Sequence, residues 1–118
     1  MERRRWRLYR TQAGRSPVRE FLDGLSDSDA ASVAAAMRDV AIDGLATSRH
    51  LTGDIYEVRA DGDRQAYRIL FATEGRRGQV LLALEGFSKK TQRTAAPRIA
   101  VAQHRLNDWR ARGRSSHE

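Results

Sequence analysis

Lys89 and Lys90 stand side by side in a chain that otherwise writes every base as arginine, with 20 Arg and only these two Lys. Arginine is effectively always protonated, whereas a lysine beside other cations can have its pKa lowered and exchange a proton. The segment Glu85-Gly86-Phe87-Ser88-Lys89-Lys90-Thr91 is therefore where proton transfer next to an anion is expected. A second group lies upstream, in Ile55-Tyr56-Glu57-Val58-Arg59 and in the run from Arg64 to Thr73. Both alternate with period two, so Glu57, Arg59, Arg64 and Arg68 share one face of a hairpin and Tyr56, Val58, Tyr67, Ile69 and Phe71 the other. Taking residues 60–63 as the loop, Arg59 opposes Arg64, Val58 opposes Gln65 and Tyr56 opposes Tyr67. The polar face reads either as a solvated sheet surface with weak Glu–Arg pairs or as a place for an anion. The apolar face reads as core.

Elements that could hold these groups follow from the remaining pattern. Trp6 to Arg10 reads as a short first strand. Ser16-Pro17 is a helix start, with Ser accepting from an orphan amide and Pro at the first helical position, and Val18, Phe21, Leu22 and Leu25 share that helix's inner face. Ser26–Ser28 starts a second helix carrying Val33, Met37, Val40 and Ala41, which Gly44 ends. The two make a helical hairpin with an acidic outer face. Leu45–Asp54 reads as a loop, Glu74–Gln79 as a turn, and Val80–Leu84 as a central strand buried on both faces. From about Ala96-Pro97, Ile99, Ala102, Leu106 and Trp109 line one side of a last helix. The fold class is α+β, with the order β-α-α-β-β-β-α and a small, mainly antiparallel sheet.

The 118 residues carry a formal charge of +7 and no cysteine. One domain over 1–111 with a frayed tail over 112–118 is expected. Without Cys, and with only His50, His104 and His117 at unpaired spacings, disulfides, zinc ribbons, iron–sulfur clusters and thiol nucleophiles are excluded and no metal or cofactor is called for. No apolar run reaches the roughly 18 residues of a membrane span, and the Arg-rich start lacks the apolar stretch of a signal peptide, so a cytoplasmic protein is expected. Charge is uneven: seven Arg against Glu2 over 1–19, two Arg against seven acids over 20–54, and 13 bases against seven acids over 55–118. Either a polyanionic partner, nucleic acid first, or nucleotide bias in the source genome accounts for the excess of arginine.

Four stretches together carry a family resemblance: Ser16-Pro17-Val18-Arg19-Glu20-Phe21-Leu22, Leu51 to Arg59, Tyr67-Arg68-Ile69-Leu70-Phe71, and Gly86-Phe87-Ser88-Lys89-Lys90-Thr91-Gln92. In order and spacing, from about residue 6 to 110, the chain resembles the phage-derived, HigB-type branch of the RelE/ParE toxin superfamily. Two departures lie in loops, Asp54 in place of a common glycine and Thr94-Ala95-Ala96-Pro97 delaying a proline. The resemblance implies a compact RelE-like domain and a type II toxin that cleaves mRNA, usually on the ribosome. It also implies neutralisation by a helix-turn-helix, HigA-like antitoxin.

Metal-free RNA cleavage needs a 2′-hydroxyl to lose a proton, a more negative transition state to be stabilised and a leaving oxygen to be protonated. On that reading Arg59 and Arg68 clamp the phosphate and Lys89 or Lys90 moves a proton or stabilises charge. Glu57 orients an arginine, acts as base, or is only a salt-bridge partner; His50 is a further base or a loop histidine without a task. Arg64, Arg76, Arg77 and Arg93 are candidates for contacts with RNA or ribosome. Tyr56, Tyr67, Trp6 and Trp109 are expected to pack. Two other functions fit the same residues: a gyrase-directed, ParE-like toxin, and a non-catalytic RNA-binding domain.

Overall fold

The computed structural model describes residues 3–89 and 94–116. β1 (Arg5–Leu8) leads to α1 (Pro17–Asp23) and α2 (Asp27–Asp43); β2 (Arg49–Thr52), β3 (Ile55–Asp61), β4 (Ala66–Glu74) and β5 (Val80–Lys89) follow, then α3 (Ala96–Ser116). The five strands form one sheet in the order β1-β5-β4-β3-β2. β1 runs parallel to β5 and the other neighbours are antiparallel. The class is α+β, as expected, with one strand more than the expected order. β2 lies in the segment read as a loop; it is 4 residues long and too short to declare a period, so its pairing with β3 defines it. At the other terminus helical backbone continues to Ser116.

The helix signals act locally, with one exception. Ser26 Oγ accepts from the Asp29 amide at 3.1 Å, and Gly44 ends α2 at φ 89°, a left-handed conformation that glycine adopts without penalty. Ser16 makes no side-chain cap bond; Pro17, whose ring presets a helical φ, and the Ser16 carbonyl accepting from the Glu20 amide at 2.9 Å start α1 instead.

The β3–β4 pairing corrects the expected register. Arg59 lies opposite Arg68, Ala60 opposite Tyr67 and Tyr56 opposite Phe71, so the loop is Gly62–Gln65 rather than 60–63. The physical reason is that the turn is pinned from outside. Asp29 of α2 accepts from the Asp63 amide at 3.0 Å and from the Tyr67 hydroxyl at 2.5 Å, while the Gly62 amide bonds the Gln65 carbonyl at 2.9 Å. The displacement is even, so each side chain keeps its face.

Both faces are covered. α1 and α2 bury Val58, Tyr67, Ile69, Phe71, Leu81 and Ala83 on one side, with Trp6 against Phe71 and its Nε1 donating to the Met37 carbonyl at 2.6 Å. α3 packs Ala102 and Leu106 on Ile55, Leu70, Ala72, Leu82 and Leu84 on the other, with Trp109 partly buried beside them. This corrects the solvated polar face: Glu57 and Arg68 are only 4% and 3% exposed. Their strands also place Ile55 and Leu70 on that face, and apolar surface of that extent is buried by whatever helix can reach it. An irregularity in β5 sets its last residues. Leu70 pairs with Glu85 and Phe71 with Ala83, leaving Leu84 as the extra residue of a bulge. Beyond it Phe87 comes opposite Arg68 and the Lys89 backbone opposite Ala66.

Among the described residues, no helix is long and apolar enough to cross a membrane.

Candidate functional site

Three arginines from three neighbouring strands converge through backbone register. β2 sets Arg49 opposite Glu57, and β3 and β4 set Arg59 opposite Arg68. With Thr47 and Ser48 they line a cleft of about 330 Å³. A hollow of about 510 Å³ adjoins it, shares Arg49, and runs to Thr94, Ala95 and Ala96 at the start of α3.

The charges are graded in depth. Arg68 forms the floor, buried, with Nε 3.4 Å from Oε1 of Glu57, and its Nε and Nη1 make no hydrogen bond. Glu57 also accepts from the Thr94 hydroxyl, so both carboxylate oxygens are engaged. Arg49 is exposed at the rim, and Arg59 is half-exposed there with its Nε 3.2 Å from Asp61. A carboxylate held this way orients Arg68 and is poorly placed to take a proton from a ligand. The cleft thus presents three cations with one buried acid, suited to a phosphate group and to charge that grows on it.

The other sequence-predicted residues divide by position. Lys89 ends β5 with its backbone opposite Ala66, at the same end of the β3–β4 hairpin as Arg59 and Arg68. Its side chain, Lys90 and Arg93 lie outside the described residues. Arg64 is exposed in the turn that closes this end. His50 is not brought in: it pairs with Tyr56, its ring lies 5.1 Å from that of Tyr56, and Nε2 is 2.8 Å from the Gly53 carbonyl. Being one residue from Arg49, it points to the opposite face of the sheet. Arg76 and Arg77 are exposed on the 3-10 turn Arg76–Gly78 at the far end of β4, a strand about 27 Å long at 3.4 Å per residue.

Arg49 is the residue that sequence reasoning missed: its segment reads as a loop, a two-residue Gly53-Asp54 turn would set it opposite Val58, and only the register shift between His50 and Thr52 brings it opposite Glu57. Also missed is the anchor of α3. Glu85 receives Arg98 Nη1 at 3.2 Å and Arg105 Nη1 at 3.3 Å, and Arg105 also donates to the Leu84 carbonyl at 2.7 Å. Arg98 lies 4.9 Å over the Phe87 ring, whose residue faces Arg68. The two loop departures are absorbed. Asp54 pairs with Arg110 at 2.9 Å, and Thr94 caps Glu57.

Among the described residues no cluster of His, Asp or Glu side chains could hold a metal ion. None of the curated proteins compared with the chain matches it. A family model described as phage derived protein Gp49-like (DUF891) matches residues 20–107, from the first turns of α1 through the whole cleft into α3. The chain therefore belongs to the Gp49-like family of phage-derived proteins, a family known as RelE/HigB-like toxins.

Proposed function

We propose that this protein is the toxin of a type II toxin–antitoxin system, of the HigB-type branch, and that it cleaves mRNA on the ribosome without a metal ion. The observation that carries the reading is the convergence of Arg49, Arg59 and Arg68 on one cleft at the end of the sheet where β5 delivers Lys89. The 2′-oxygen loses its proton and attacks the adjacent phosphorus, the bond to the 5′-oxygen breaks, and that oxygen takes a proton. The products are a 2′,3′-cyclic phosphate and a 5′-hydroxyl. Arg49 and Arg59 hold the phosphate oxygens from the rim, and Arg68 supplies fixed positive charge from below. Lys89 and Lys90 are the proton carriers, because arginine holds its proton too tightly for that task. A helix-turn-helix antitoxin is the partner that silences the protein in the cytoplasm.

Mapping of RNA ends after incubation with translating ribosomes tests the chemistry. Cyclic-phosphate ends are expected, and Arg59→Ala lowers the cleavage rate about 100-fold, the usual loss when one charge stabiliser of a transition state is removed. Lys89→Ala with Lys90→Ala abolishes growth arrest on induced expression. Uncut RNA together with blocked gyrase supercoiling overturns the assignment, as does full toxicity of the double variant.

A further inference from the structure

A second cationic hollow, of about 590 Å³, lies along the open edge of β1 between α1 and α3. Arg7, Arg10, Arg19 and Arg112 line it together with Trp109, and no carboxylate does. Arg7, Arg10 and Arg19 are exposed, and none of them has an acidic partner among the described residues. Arg112 is different in kind: it is held by Asp108 at 2.9 Å and donates to the Arg10 carbonyl, which ties the rim to β1. The Arg7 guanidinium sits over the Trp109 ring at 5.2 Å. All the lining residues fall outside the span 20–107 matched by the family model.

An arginine plane laid on an indole, with unpaired guanidinium groups around it, is the combination that stacks on a base while holding the flanking phosphates. The other tryptophan of the hollow, Trp6, is unavailable because the core and the Met37 carbonyl hold it. Position adds a constraint. Thr94 bonds Glu57 of the first cleft and Ala96 begins α3, whose Trp109 borders this hollow, so α3 separates the two by about 20 Å at 1.5 Å per residue. Stacked nucleotides at about 3.4 Å each bridge that distance in about six.

We infer that the Arg7–Trp109 hollow is a second binding subsite for single-stranded RNA, engaging nucleotides about six positions from those in the Arg49/Arg59/Arg68 cleft. The subsite builds on the RNA-cleaving reading but is read out by binding alone. Fluorescence anisotropy with a 5′-fluorescein-labelled single-stranded RNA of about 12 nucleotides gives affinity and salt dependence. The variant Arg7→Ala/Arg10→Ala is expected to weaken binding at least tenfold and to flatten the plot of log affinity against log salt by about one to two. Arg7→Lys keeps the charge and the slope but loses severalfold in affinity through the lost stack. A labelled trinucleotide, too short to bridge the sites, is held by one site at a time, and its affinity falls by a smaller factor in the double variant than that of the longer RNA. Unchanged affinity and slope for the longer RNA in both variants overturns the subsite, as does an equal loss on the trinucleotide. If the unaltered protein binds RNA through Arg7 and Arg10 but never cuts it, the subsite stands and the nuclease reading falls.

Discussion

Arg59 and Arg68 face each other across one rung of the β3–β4 ladder, an arrangement that like charges normally disfavour. Each has its own acid: Glu57 under Arg68 and Asp61 beside Arg59. The difference in depth makes their removal unequal. Arg68→Ala leaves Glu57 charged in the core with only Thr94 to answer it, so a loss of about 3–5 kcal/mol is expected. Arg59→Ala, at the surface, changes stability by no more than about 0.5 kcal/mol. Urea unfolding of the two variants checks this. Equal and small losses would mean that the Glu57–Arg68 pair is not the floor of the site. A paired replacement, Glu57→Met with Arg68→Met, is expected to recover most of the stability without restoring RNA cleavage, because it removes the buried charges together. The alternation of residues 55–59 and 64–73 made these side chains neighbours of one face. Their burial was legible only in Ile55 and Leu70, two apolar residues on a face otherwise read as polar.

At the scale of elements, the turn and strand ends are held by close approaches that leave no room for change. A Cβ on Gly86 would come within 2.5 Å of the Phe21 ring, so the residue that opens the Gly-Phe-Ser-Lys-Lys segment is also the floor on which α1 rests. Gly86→Ala is expected to cost about 1–3 kcal/mol by overpacking, and to displace α1 or the end of β5. Amide hydrogen exchange localises the effect to those two elements; a variant as stable and as protected as the original would show that Phe21 moves freely. The helices were legible because caps, Gly44 and the 3.6-residue period are local signals. The hairpin register was not, because Asp29, 34 residues before Asp63, decides where the turn closes. β2 escaped notice for a related reason: a strand of 4 residues owes its existence to its neighbour.

For the molecule as a whole, two tyrosine–aspartate bonds tie the outer layers to the sheet. Tyr67 donates to Asp29 of α2, and Tyr9, at the end of β1, donates to Asp108 of α3 at 2.5 Å. The Tyr67 hydroxyl and then the Asp63 amide hold Asp29 below the ordinary aspartate value, and the Tyr9 hydroxyl does the same for Asp108. A carboxylate whose folded pKa is lowered contributes stability above its unfolded value, lost as pH falls through the folded one. The tyrosines shift the other way: burial and then the bond to Asp108 raise Tyr9, and the bond to Asp29 raises Tyr67. Their contribution is present below the ordinary tyrosine value and is lost as pH rises through the raised one. Stability is therefore expected to be level between about pH 5 and 9 and to fall on both sides, with Asp29→Asn flattening the acid limb. Urea midpoints across pH measure it, and an acid limb unchanged in the variant would remove Asp29 from the account. The sequence by itself determined the three helices, four of the strands and the sorting of side chains to faces, since caps and periodicities act within a few residues. It also singled out Arg59, Arg68 and the lysine pair by type. Only the tertiary structure decided that Arg68 is buried, that Arg49 joins the cleft while His50 turns away, and that Trp109 meets Arg7, because each depends on an element distant in the chain packing against the sheet.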